Sequence, residues 1–138
     1  MSAHTTTAGN AQGARALTPA QLYSLVFGAV LVLVGILGFI ADATFGTGSD
    51  VNGSDLIIFE VNGWHNIVHI LSGIVGLALW RSAAGARAFA LGFGTIYGVV
   101  TLWGFLTGDN VLHLLIAATG IGAGLASPAT EGTTAAAR

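Results

Sequence analysis

The chemistry open to this chain rests on three of its four histidines. His65 and His69 stand four residues apart in the run Trp64-His65-Asn66-Ile67-Val68-His69, a spacing that sets both rings on one face of a helix. His113 ends a similar run, Asp109-Asn110-Val111-Leu112-His113, with Asn110 placed before it as Asn66 is placed before His69. Neutral imidazole ligates iron, zinc and copper. His69 and His113 are therefore candidate axial ligands of a haem, and His65, His69, His113 and Glu60 candidate ligands of a transition metal. A helix N-terminus disfavours the protonated ring and helps keep it ligand-competent. Two other uses stay open for the same residues. They can line a proton or solute pathway, or the Asn, Asp and His side chains can cap helix starts and hydrogen-bond across a bundle, each such bond contributing on the order of 1 kcal/mol. His4 lies in a polar tail and is given no role.

Four apolar runs must position these residues. Residues 22–41 carry no charge, and at 1.5 Å per residue make about 30 Å of helix, the thickness of a bilayer core. Runs over 64–80, 88–106 and 111–126 follow, separated by segments that hold every internal charge. Membrane spans are thus expected at about 20–41, 64–80, 86–106 and 110–126, with an outer loop over 42–63. The fourth is the weakest, being short and rich in Gly and Ala. A signal-peptide reading of the first run, with Ala41-Asp42-Ala43 as a small-x-small cleavage site, meets two objections: the run is too long and a polar stretch of about twenty residues precedes it. Residues 1–19 and 127–138 read as disordered tails. Within the loop, Leu56-Ile57-Ile58-Phe59 is too short to span and is expected to lie in the interface or to pack over the bundle mouth.

Arg15, Arg81, Arg87 and Arg138 all fall on one side of these spans, and the positive-inside rule makes that side, with both termini, cytoplasmic. Asp42, Asp50, Asp55, Glu60 and Asp109 fall on the other, where they read as a solvated acidic face. Tyr23 and Trp80 at inner ends, and Trp64, Trp103, Phe39 and Phe105 at outer ends, read as interfacial belts.

The first and third runs align without a gap, pairing Leu25 with Leu91, Phe27 with Phe93, Gly28 with Gly94, Gly38 with Gly104 and Phe39 with Phe105. The second and fourth align as directly, pairing Asn66 with Asn110, His69 with His113, Leu71 with Leu115 and Gly76 with Gly120; Asp109 is the counterpart of His65. A duplicated hairpin of this kind places its halves about a pseudo-twofold along the membrane normal, with His69 and His113 at equal depth. The 21 glycines are too many to be turns alone. Gly94-x-x-x-Gly98 and Gly120-x-x-x-Gly124 present small faces for close helix contact, within the bundle or with another copy.

The run from Phe59 through Glu60, Asn62 and Trp64-His65-Asn66 to His69, followed by Gly73 and Gly76, resembles the domain of unknown function 4383 family of small bacterial membrane proteins. The resemblance continues through the Arg-bearing turn, Phe93-Gly94 and Asp109 to His113, and covers roughly residues 20–126. It implies a four-helix membrane fold and brings no settled activity with it.

Composition narrows the function further. Apolar residues make up 54% and charged residues 7%, against roughly 25% charged in soluble domains. Four scattered arginines form no basic stripe for nucleic acid, and the absence of Cys removes disulfides, thiolate nucleophiles and Cys-based metal sites. No Ser, acid and base set assembles, so an enzyme is not expected. The sequence therefore predicts an all-α, four-transmembrane-helix bundle built from a duplicated helical hairpin, in the cytoplasmic membrane. Its expected role is structural or regulatory, through helix contacts with lipid, a second copy or another membrane protein. The alternative is a redox or sensor protein carrying haem or a metal.

Overall fold

The computed structural model describes residues 16–47, 53–56, 59–104 and 110–129. Expectations placed on Arg15, Asp50, Ile57, Ile58, Phe105, Asp109, Arg138 and most of both tails lie outside the described residues, as do the side chains of Asp55, Trp103 and Asn110. Four helices are described, α1 (Pro19–Ala41), α2 (Gly63–Leu79), α3 (Ala83–Gly104) and α4 (Asn110–Leu125), with a two-stranded antiparallel ribbon of β1 (Ser54–Leu56) and β2 (Phe59–Val61) between α1 and α2.

Local chemistry sets these boundaries. Thr18 caps α1: its hydroxyl accepts from Gln21 N at 3.2 Å, the Gln21 side chain accepts from Thr18 N at 3.0 Å, and Pro19 occupies a first-turn position that needs no N–H. At the other end Asp42 turns extended, and its carboxylate accepts from Thr44 N at 2.7 Å, Thr44 Oγ1 at 2.6 Å and Ser54 Oγ at 3.0 Å. These donors, Thr44 foremost, hold the Asp42 carboxyl below its ordinary value. Asn62 caps α2 by accepting from His65 N at 3.0 Å, and Gly63 N donates to Thr44 O at 2.7 Å, so the loop satisfies helix-start donors.

The helices pair as two hairpins, α1 against α2 and α3 against α4, with α1 also running along α3 and α4. Glycine permits the approach. A Cβ on Gly28 would stand 3.0 Å from both Gly73 O and Leu77 N of α2; on Gly94 it would stand 3.1 Å from Ala117 O and 2.9 Å from Ile121 N of α4. Between hairpins, a Cβ on Gly76 would meet the Phe89 ring at 2.9 Å, and one on Gly120 the Tyr23 hydroxyl at 2.7 Å. Gly98 differs from the expected close contact. Its Cβ would find only Ala117 Cβ, at 3.9 Å, which is ordinary spacing.

A ladder of rings fills the core. Tyr23 stacks on Phe27 with centroids 4.3 Å apart, Phe89 on Phe93 at 5.0 Å, Phe93 meets Tyr97 at 4.5 Å, and Tyr97 meets His113 at 5.4 Å. Tyr23 is thus a core residue and not the interfacial one expected, because its hydroxyl donates to Ile116 O at 3.2 Å inside the bundle. Pro19–Ala41 and Ala83–Leu102 are long and apolar enough to cross a bilayer. Only 28% and 39% of their most apolar stretches are buried inside the protein, so most of that surface faces outward. Gly63–Leu79 and Val111–Leu125 are apolar but shorter.

Candidate functional site at the histidine end

The first two turns of α2 follow directly from the Asn62 cap, and this places His65 and His69 side by side. Their Nε2 atoms are 3.0 Å apart and their rings meet nearly edge to face, with centroids 4.3 Å apart. Such a contact needs one nitrogen protonated and the other bare, so it holds a single proton that either Nε2 can carry. His113 projects from α4 against the Tyr97 ring of α3.

All three histidines border one cavity of about 240 Å³, together with Tyr97, Phe27 and Leu31. The ribbon closes it from the loop side through Leu56 and the fully buried Val61. Packing over the bundle mouth was one of two placements expected for the apolar run. Its formation as paired strands was not legible, since three-residue strands show no usable alternation.

The expected ligand set is brought together only in part. Glu60 lies exposed on β2, where its carboxylate accepts from Gly53 N at 2.7 Å, and it does not border the cavity. Among the described residues no group of three or more His, Asp or Glu side chains is arranged to hold a metal ion. A cavity of about 240 Å³ also lies under the roughly 300–1,000 Å³ typical of organic-ligand sites, too small to seat a whole tetrapyrrole between His69 and His113.

Polar atoms at this end of the bundle are incompletely used. Nδ1 of His69, Nδ1 of His113 and Oδ1 of Asn66 are buried without a hydrogen-bond partner among the described residues. Asn66 itself is fully buried and spans the hairpin, donating from Nδ2 to Asp42 O at 2.8 Å, and a Cβ on Gly38 would collide with its amide. Asn66 therefore braces α1 against α2, while Asn62 does the capping. Tyr97 was missed by sequence reasoning. Its signal was a hydroxyl one turn beyond Phe93 on the same helix face, opposite the aliphatic Leu31 in the repeat frame.

The family described as Domain of unknown function (DUF4383) matches residues 21–126. No curated protein and no solved structure matches the chain.

Proposed function

The chain belongs to the DUF4383 family, whose description assigns no activity, and from its own geometry we propose a four-span protein of the cytoplasmic membrane with a structural or regulatory role and no catalysis. The observation that carries this reading is the outer surface. Large apolar side chains lie exposed on every helix, among them Ile40 at 79%, Leu71 at 58%, Leu102 at 72% and Val111 at 74%. In water so continuous an apolar exterior would drive association, whereas in lipid it is the matching solvent. α2 and α4, with 17 and 16 residues, are each about 25 Å long. That is near the lower limit for a span, and tilt of their partners or local thinning accommodates it.

The duplication is supported by an exchange of contacts. Gly28 meets residues 73 and 77 as Gly94 meets 117 and 121, the positions that the repeat frame pairs. Gly76 meets Phe89 while its counterpart Gly120 meets Tyr23, the reciprocal pattern of a twofold. The arginine rule then orients the bundle with the α2–α3 turn inside. Gly92 and Gly122 are exposed and a Cβ on either would meet nothing within 4 Å, which leaves smooth faces for a partner helix.

Labelling tests the topology, and the absence of native Cys makes it clean. Cysteine at Thr47 should react with an impermeant maleimide added to intact cells and cysteine at Ala84 should not; the reverse pattern inverts the arrangement. For the role, crosslinking from Gly92→Cys or Gly122→Cys in the host membrane should yield a discrete complex, and monomer alone would remove the contact function. Stoichiometric haem or metal in protein from that membrane would restore the rival reading.

A further inference from the structure

The cavity at the histidine end contains polar groups that the protein does not satisfy and has a mouth lined by hydrocarbon. Tyr97 is only 8% exposed, borders the cavity, and its hydroxyl makes no hydrogen bond among the described residues. The His113 ring beside it has no hydrogen-bond partner there either. The His65–His69 pair supplies polar edges from α2, and the other bordering residues are hydrocarbon. Nδ1 of His69 and of His113, buried without a partner among the described residues, cost about 1–3 kcal/mol each while idle, so an occupant that pairs with polar groups of this cavity is favoured over an empty one.

Three features restrict that occupant. No Arg or Lys borders the cavity, so an anionic head such as a carboxylate or phosphate would be desolvated without a counter-charge. A volume of about 240 Å³ accepts one substituted six-membered ring. Val30 of α1 and Leu112 of α4 border the cavity yet are 47% and 40% exposed, which puts an apolar mouth between those helices on the surface assigned above to lipid. A molecule entering there has a hydrocarbon tail that can remain in the bilayer.

We infer that this cavity binds the ring of a neutral, lipid-soluble quinone or quinol, with Tyr97 and His113 as its hydrogen-bonding contacts and the tail leaving between Val30 and Leu112. The Tyr97 hydroxyl donates to a ring carbonyl; a bare His113 nitrogen accepts from a ring hydroxyl of the reduced form. Binding alone is assigned. The tail exit rests on the membrane reading, but the pocket is tested on purified protein and fails or stands apart from the labelling pattern.

The test uses the full chain in lipid nanodiscs with a decyl-substituted benzoquinone, followed by thermal stability and tryptophan quenching. Decylbenzene, which has the ring and tail without oxygens, serves as the control. Saturable binding of the quinone, with raised melting temperature, and little response to decylbenzene are expected. Tyr97→Phe preserves ring packing and should weaken quinone binding by about three- to tenfold, one hydrogen bond's worth. Leu31→Phe should fill the cavity and abolish binding; if it does not fold, Tyr97→Phe carries the test. No saturable binding by folded protein, equal binding of decylbenzene, or binding indifferent to Tyr97→Phe would each overturn the assignment.

Discussion

At the arginine-bearing end, Ser127 ties three helices together: its hydroxyl accepts from Ala20 N at 2.8 Å and donates to Ala123 O at 2.8 Å, and its carbonyl accepts from Arg87 Nε at 3.2 Å. Gln21 Nε2 reaches Arg81 O at 3.2 Å, Ser24 donates to Gly76 O at 3.2 Å, and Ala20, Ala86 and Ala90 are fully buried. At the histidine end lie the buried side-chain atoms that have no partner among the described residues, Nδ1 of His69 and of His113 beside the cavity and Oδ1 of Asn66 outside its lining. The two ends thus divide the labour. One uses its polar groups to close the bundle, and the other leaves two imidazole nitrogens unsatisfied beside a cavity.

The loosening is confined to one hairpin. The α1–α2 pair stays tight to the histidine end, where Gly35 would bring a Cβ to 2.8 Å from Asn66 O. The α3–α4 pair is tight at Gly94 and relaxed one turn on, at Gly98. Gly94→Leu should therefore prevent assembly or cost roughly 1–3 kcal/mol or more, because it drives a side chain into backbone that cannot move aside. Gly98→Leu should be far milder. Thermal unfolding of both variants in one detergent would break the comparison if their losses were equal.

How much of this was legible in the sequence follows from what a repeat and a periodicity can specify. The four apolar runs were readable because hydropathy fixes extent along the helix axis, and His69 and His113, paired by the alignment, border one cavity. Rotation about that axis is set by side-chain packing, so the approach of Tyr97 to His113, and of Tyr23 to Phe89, was not. Ser127 looked like the start of a polar tail, since nothing local shows that Arg87, on another helix, would donate to its carbonyl. Asn66 was read as a residue able to cap a helix start or bond across the bundle, but its partner is a backbone carbonyl at Asp42, and such partners have no residue signature.

Removing one polar group at each end sharpens the contrast. Ser127→Ala leaves the buried Ala20 N without its acceptor and should cost about 1–3 kcal/mol. His113→Ala loses packing against Tyr97 but also removes an unsatisfied buried nitrogen, so its loss should be the smaller of the two. If calorimetry or thermal melts in nanodiscs rank them the other way, the histidine end is the structural one and the division fails.

The smallest effect belongs to Asp42, at the junction of α1 and the ribbon. Its carboxylate is held by Thr44 and Ser54, which favours the charged form and depresses its folded value below the ordinary 3.8. A group depressed on folding contributes stability that is fully present above its unfolded value and is lost as pH falls through the folded one. Stability should therefore decline below about pH 4 in the native protein, and Asp42→Asn should flatten part of that decline by losing at neutral pH the same small contribution that the native protein loses in acid. Because the carboxylate is solvent-exposed, salt should also weaken the difference between the two proteins. Melting temperatures of both at pH 3 and pH 7, in low and high salt, measure it. An undiminished acid decline in the variant would show that the Asp42 turn does not anchor the ribbon over the cavity, and that the lid is held by its apolar contacts alone.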